Sequence, residues 1–98
     1  MFVNVIKTYR DVVAVCDSEL LGKCFEEGKF QLDVKESFYK GEKTSEKQTI
    51  EIMKKMIEED AIFNIVGPKS IAAAIKAGIL QEGSTKTIQG IPFALILA

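Results

Sequence analysis

An uninterrupted apolar run, Val12 to Cys16, constrains the fold of this chain more than any other stretch. Because the run contains no charged or strongly polar residue, it predicts a strand that is buried on both faces of a sheet. Asp17 follows, and its carboxylate suits the cap of a helical turn through Glu19 to Leu21. A buried strand that opens into charged residues also predicts a reactive site, with Cys16, Asp17 and Lys23 as candidates. The alternative is a buried cysteine beside a capping aspartate.

The rest of the chain alternates between strand and helix patterns. Ser45 to Asp60 predicts a helix that begins with a Ser45–Gln48 capping box, and Pro68 to Ala77 predicts a second helix. The predicted strands are Phe2–Tyr9, Val12–Cys16, Phe30–Lys35, Ile62–Val66, Thr85–Gln89 and Phe93–Ala98. This order predicts one domain over residues 1–98 of class α+β, with a mixed sheet of five or six strands and two main helices packed mostly on one face.

The short Arg10–Asp11 connection predicts an antiparallel hairpin of the first two strands, and the polar stretch between the second and third is expected as a turn. Phe30, Leu32 and Val34 alternate with polar residues, which predicts a strand with one buried and one solvated face.

The stretch from Ile91 to Ala98 carries no charged residue. A wholly apolar strand is unsuited to a solvated edge, so it must be central, covered or shared with another subunit. A homo-oligomer formed through this last strand, or through the slim alanine-rich second helix, is therefore one hypothesis about partners.

The start of the second helix offers a second candidate site. The free amides of Lys69, Ser70 and Ile71, the Lys69 ammonium, the Ser70 hydroxyl and the helix dipole are suited to hold an anion after Gly67. The spacing is not that of a P-loop, and the alternative is an ordinary helix start. Asn64 interrupts the preceding apolar strand, so its side chain must find hydrogen-bond partners or lie near a site.

Two adjacent aromatic residues, Phe38 and Tyr39, precede Lys40 and Gly41 in a predicted loop. Such a pair can hold a ligand ring, which makes Tyr39 a candidate ligand contact. The alternative is that Phe38 fills the core and Tyr39 covers it, since aromatic side chains bury large areas where they can.

Composition excludes several functional classes. The chain has no histidine, which removes histidine-based triads and the commonest transition-metal ligand. Its two cysteines, Cys16 and Cys24, lack a second pair for a zinc site, so we expect neither a metal nor a cofactor. A net charge of −1 argues against binding driven by phosphate neutralisation. No apolar stretch is long enough to cross a bilayer and no signal-peptide pattern is present, so we expect a cytoplasmic protein without membrane contact.

Five short segments occur in a characteristic order along nearly the whole chain: CDSELLGK, FEEG, FYKGE, NIVG and GIP. In these segments the chain resembles a small archaeal family of conserved proteins classed as a domain of unknown function (family 424). The resemblance implies a compact, stand-alone cytoplasmic protein and an association with translation. It supplies no activity and no site residues.

Three functional hypotheses follow. The first is a non-catalytic binding module that contacts a protein or a ribonucleoprotein, with direct RNA binding left open. The second is a small-ligand enzyme with Cys16 as nucleophile near Asp17 and Lys23, or an anion binder at Gly67 to Ser70. The third is the homo-oligomer. Because the usual catalytic machinery is absent, the sequence favours the first hypothesis.

Overall fold

The computed structural model describes residues 1–97. The strands are β1 (Phe2–Ile6), β2 (Val12–Cys16), β3 (Cys24–Glu27), β4 (Phe30–Asp33), β5 (Glu42–Lys43), β6 (Ile62–Val66), β7 (Lys86–Ile88) and β8 (Ile91–Leu97). The helices are α1 (Glu36–Tyr39), α2 (Glu46–Glu58) and α3 (Pro68–Lys76), and Ser18–Leu20 forms a 3₁₀ turn. The predicted α+β class with a mixed sheet and two main helices is confirmed. No helix within residues 1–97 is long and apolar enough to cross a membrane.

Six of the strands form one mixed sheet in the order β5-β1-β2-β6-β8-β7. The predicted β1–β2 hairpin is confirmed, and β2 pairs with β6 in parallel. β8 pairs antiparallel with both β6 and β7. The strands β3 and β4 form a separate antiparallel hairpin.

One face of the sheet packs against α2 and α3. Met53 and Met56 of α2 and Ala73 of α3 are buried with Val13 and Phe63 in this core. The capping box of α2 is confirmed, because Ser45 Oγ accepts a hydrogen bond from the Gln48 backbone and Gln48 Oε1 accepts one from the Ser45 backbone. The helix therefore begins at the residue that its local sequence specifies.

The opposite face is covered only in part, by the 3₁₀ turn, α1 and the β3–β4 hairpin. A second core lies between these segments and the sheet. Its buried residues are Ala14, Cys16, Leu20, Leu32, Val34, Tyr39, Val66 and Ile88. The hairpin is fixed to the turn between β7 and β8, where Gln89 donates its backbone N–H to Glu27 and its side-chain amide to the Glu26 carbonyl.

Several boundaries differ from the sequence-based predictions. The first strand ends at Ile6 rather than Tyr9, and the segment Cys24–Glu27, expected as a turn, is a strand. The segment 36–44, expected as a loop, contains α1 and β5. Phe30 was expected on a buried face but is exposed, because β4 pairs only with β3 and lies outside the main sheet. The predicted continuation of the last strand to Ala98 lies outside the described residues.

Candidate functional site

Asp17 lies at the end of β2 and is completely buried. Its Oδ2 accepts a hydrogen bond from the backbone N–H of Lys69 at 3.0 Å. Its Oδ1 accepts two more, from the backbone N–H and the hydroxyl of Ser70, both at 2.7 Å. The carboxylate thus satisfies two of the orphan amides at the start of α3 and lies at the positive end of the helix dipole.

The parallel pairing of β2 with β6 brings these residues together. Cys16 pairs with Val66, so the residues that follow the two strands emerge side by side at one end of the sheet. Gly67 then allows close contact, since a Cβ there would lie 2.6 Å from Oδ1 of Asp17. Gly67 also has a φ of 109°, a conformation that favours glycine. Both constraints exclude a side chain at this position.

Asp17 caps a helix, as predicted, but the helix is α3 and not the turn that follows Asp17 in sequence. The 3₁₀ turn Ser18–Leu20 has no side-chain cap, and Asp17 caps α3 instead. The local rule identified the chemistry of the residue, but the target helix lies more than fifty positions along the chain. No local pattern in the sequence marks that partner.

Every group expected to hold an anion at Gly67 to Ser70 already has a partner inside the protein. The amides of Lys69 and Ser70 and the Ser70 hydroxyl donate to Asp17, and the Ile71 amide donates to the Gly67 carbonyl. The Lys69 ammonium lies 3.8 Å from Glu19, in an exposed ion pair. An external anion at this helix start would therefore have to displace a buried carboxylate.

Cys16 is also completely buried. Burial, and then the neighbouring charge of Asp17, raises the pKa of its thiol from 9.0 to about 11. The N-terminal ammonium and a hydrogen bond with the Phe2 backbone act in the opposite direction, but burial and Asp17 outweigh them. Lys23, the expected activating cation, is an exposed residue and is not one of the groups that lower this pKa. Cys16 and Asp17 are adjacent, but the arrangement disfavours a thiolate.

The aromatic pair of α1 packs inward. Tyr39 is buried and Phe38 is only half-buried, so their expected roles are reversed. The two rings meet edge to face, with centroids 5.0 Å apart. Burial, with a smaller effect of Cys16, raises the pKa of Tyr39 to about 12. Tyr39 therefore belongs to the second core.

A row of aliphatic side chains crosses four adjacent strands on the partly covered face. Strand pairing aligns Ile6, Val12, Ile62 and Leu97 from β1, β2, β6 and β8. We call these four residues the open row, because none of them packs against either core and Leu97 is 67% exposed. The open row lies at the end of the sheet opposite to Cys16 and Asp17. Sequence reasoning missed it, because only the register of four strands brings these residues together.

Asn64 lies beside the open row. It is half-buried on β6, between Ala14 of β2 and Leu95 of β8, and its side chain makes no hydrogen bond to the described residues. Leu95 is 61% exposed, so the amide has an apolar neighbour that is itself uncovered. Asn64 is thus the middle residue of β6 and makes no hydrogen bond to the Asp17 carboxylate, so it does not belong to the cluster of Asp17, Lys69 and Ser70.

Two further features complete this surface. Tyr9 is fully exposed in the loop that joins Ile6 to Val12, next to Arg10 at the same end of the sheet. Within the described residues, no three His, Cys, Asp or Glu side chains are grouped closely enough to hold a metal ion. The open row thus has an amide beside it, at Asn64, and an exposed aromatic ring in the adjoining loop, at Tyr9.

Comparisons with known proteins agree with the fold and with the family. The crystal structure of an uncharacterized conserved protein from Methanopyrus kandleri superposes with a TM-score of 0.87 and 23% sequence identity, over 98% of this chain and 90% of that one. No curated protein matches the chain. The model of the family described as "Protein of unknown function (DUF424)" matches residues 6–98. The chain therefore belongs to the DUF424 family, as its sequence motifs predict.

Proposed function

We propose that this protein is a non-catalytic interaction module that binds a partner protein through the open row and Asn64. The observation that carries the proposal is that four aliphatic side chains on adjacent strands are aligned on one face and packed against neither core. Exposed apolar surface of this kind is characteristic of contact sites. Asn64 adds a hydrogen-bonding group among aliphatic neighbours, and Tyr9 adds an exposed aromatic residue at the rim.

The state of the buried groups supports a non-catalytic role. A thiol with a pKa of about 11 is ionised in about one molecule in ten thousand at pH 7, so Cys16 is a poor nucleophile. Asp17 is held by the start of α3 and is not directed at solvent. The enzymatic hypothesis requires both groups to be available, and the anion-binding hypothesis requires amides that Asp17 already occupies.

The charge of the chain favours a protein over bare RNA as the partner. A net charge of −1 offers little of the phosphate neutralisation that dominates nucleic-acid affinity. The resemblance described above implies an association with translation and a cytoplasmic setting, so we propose a translation protein or a protein component of a ribonucleoprotein as partner.

A capture experiment tests the proposal. Tagged wild-type protein is incubated with lysate of the source cells, with and without ribonuclease, and the captured proteins are identified by mass spectrometry. The expected result is a defined partner that persists after ribonuclease and binds again as a purified protein in calorimetry. Val12→Lys should abolish that binding, because it places a charge in the open row. Phe30→Lys is the matched control, since Phe30 is 70% exposed on the separate hairpin.

Two results would contradict the proposal. One is equal binding of the partner by the wild type and by a Val12→Lys variant whose fold is confirmed by circular dichroism. The other is rapid labelling of Cys16 by a thiol reagent at pH 7 in a Cys24→Ser background. Cys24 must be replaced for this measurement, because its exposed thiol would itself react with the reagent.

A further inference from the structure

Strand β8 has one side that is only half paired. It lies beside β6 from Phe93 to Leu97, whereas β7 pairs only with its first three residues, Ile91 to Phe93. Among residues 1–97, no strand continues on the β7 side of β8 beyond Phe93. The segment Ala94–Leu97 is therefore a strand edge, which we call the β8 edge.

The backbone groups that face this edge can be assigned. The Gly67 N–H donates to the Pro92 carbonyl at 2.8 Å, so Pro92 faces the β6 side of β8. Backbone groups of successive residues point to opposite sides of a strand. Ala94 and Ile96 therefore also face β6, while the N–H and C=O groups of Leu95 and Leu97 face the open edge.

Most features that normally protect such edges are absent from the β8 edge, although Ser84 and Lys86 lie beside it and line a cavity with Phe93, Ala94 and Leu95. Natural proteins prevent edge pairing with charged side chains, prolines, bulges or a covering segment. From Phe93 to Leu97 the strand has no charged residue and no proline, and its pairing with β6 runs without a bulge. The side chains of Leu95 and Leu97 are 61% and 67% exposed. The edge therefore presents unpaired backbone groups together with apolar side chains.

We propose that the β8 edge pairs antiparallel with the β8 edge of a second copy of this chain, about a two-fold axis at Ile96. In this register Leu95 lies opposite Leu97 of the partner subunit, and the reverse pair is made by symmetry. Each pair exchanges both of its backbone hydrogen bonds, so the interface gains four. A register centred on Leu95 is excluded, because it would place a strand against Phe93, whose edge Lys86 already occupies.

A second copy suits this edge better than an unrelated strand. The segment Ala94–Leu97 carries no charge, and Lys86 pairs with Phe93 just outside it, so the residues that would pair meet without repulsion. Its donors and acceptors are self-complementary in the antiparallel direction, as an isologous interface requires. The four edge leucines become neighbours on one face, and the six-stranded sheets join into one. This pairing does not depend on the function proposed above. It is made by backbone groups of the β8 edge, and of the open row it involves Leu97 but not Ile6, Val12 or Ile62.

Oligomeric mass tests the pairing. Sedimentation velocity from micromolar to millimolar concentration should show wild-type protein moving from one chain to two. Leu95→Pro should remain a single chain throughout, since it removes an edge-facing N–H and leaves the ladder to β6 intact. Leu95→Thr, the matched control, keeps that N–H and should still dimerise, although more weakly. A wild type that remains a single chain at millimolar concentration would overturn the proposal, as would dimerisation of a folded Leu95→Pro variant equal to that of the wild type.

Cross-linking tests the register. In the proposed pair the two Ile96 Cα atoms lie about 4.5 Å apart, within the range of a disulfide. The two Leu95 Cα atoms lie on a diagonal at about 7–8 Å, beyond that range. In a Cys24→Ser background, Ile96→Cys should therefore form an intermolecular disulfide on mild oxidation, and Leu95→Cys should not. The opposite outcome would overturn the register.

Binding of a partner protein and pairing of two β8 edges can be tested separately. Val12→Lys should abolish binding of the partner protein and leave the two-chain mass unchanged, because β6 separates Val12 from β8. A single-chain wild type in which Leu95→Pro abolishes capture of another protein would instead show that this edge pairs with a foreign strand, which contradicts the second copy as occupant.

Discussion

Replacing Asp17 should destabilise the fold more than any exposed substitution. Asp17→Ala removes an acceptor from three hydrogen bonds of 2.7–3.0 Å and leaves two amides and a hydroxyl at a buried site. A buried donor without a partner costs about 1–3 kcal/mol, and a hydrogen bond to a charged group contributes about 1.5–3 kcal/mol. Because these effects overlap, we expect a total loss of about 3–5 kcal/mol, most of the stability of an ordinary small domain.

Two milder variants separate the contributions. Asp17→Asn preserves the shape but directs an N–H₂ group at a backbone N–H, so we expect a loss of about 2–3 kcal/mol. Ser70→Ala removes only the hydroxyl hydrogen bond and should cost about 1–2 kcal/mol. In the double mutant the two losses should be less than additive, because Ser70 Oγ and Asp17 Oδ1 are in direct contact.

Urea unfolding followed by far-UV circular dichroism at pH 7 measures these changes. Asp33→Asn is the control, since the Asp33 carboxylate is exposed and only 4.0 Å from the Lys35 ammonium, and it should change stability by less than about 0.5 kcal/mol. A loss of less than about 1 kcal/mol for Asp17→Ala would refute the reasoning. It would mean that water or another group replaces the carboxylate at the start of α3.

Three further predictions concern other parts of the same framework. Gly67→Ala should lower the free energy of unfolding by at least about 3 kcal/mol in urea, because alanine would have a strained φ there and its methyl group would overlap Asp17. Gly83→Ala is the control: its φ is also positive, but the space around it is open, and it should cost about 1 kcal/mol. Wild-type stability should fall by about 2–3 kcal/mol between pH 9 and 11: below this range both states keep the Cys16 proton, and within it only the unfolded chain ionises fully. Cys16→Ala should remove this part of the loss in pH-dependent unfolding curves and leave a smaller fall above about pH 10, because the raised pKa of Tyr39 has the same effect. Ser45→Ala should cost about 1 kcal/mol and lower helicity, and no change in either would contradict the role of the capping box.

The sequence predicted those helices and strands that are determined by interactions between residues close together in the chain. The capping box at Ser45 and Gln48 fixes the start of α2, and Pro68 lies in the first turn of α3. The short connection after the first strand predicted the β1–β2 hairpin, and the apolar run is buried as predicted from Val13 to Cys16, whereas Val12 is half-buried. In each case the interacting groups lie within a few residues of one another, so the pattern contains both partners.

The roles of Asp17 and Tyr9 depend on distant parts of the chain, so the sequence alone could not assign them. Asp17 suits a cap, but which helix it caps depends on the parallel register that sets Cys16 beside Val66. Tyr9 continues the alternation of the first strand in sequence, yet β2 ends its pairing at Ile6 and leaves the ring in solvent. The residue type indicates which contacts a side chain can make, and the pairing of the strands determines which partners it meets.

The contrast between Val12 and Cys16 shows why a surface is harder to predict than a core. Both residues lie on the same face of β2, and both belong to the same apolar run. Cys16 is sealed by the 3₁₀ turn, α1 and the hairpin, whereas Val12 lies beyond their reach and stays half-exposed. Asn4 marks the limit of that cover, since its side-chain amide donates to the Phe38 carbonyl at 2.8 Å and fixes α1 there. Whether an apolar strand residue is buried in a core or left on the surface is thus decided by the extent of a different segment of the chain, and the open row is the surface to which we propose that a partner protein binds.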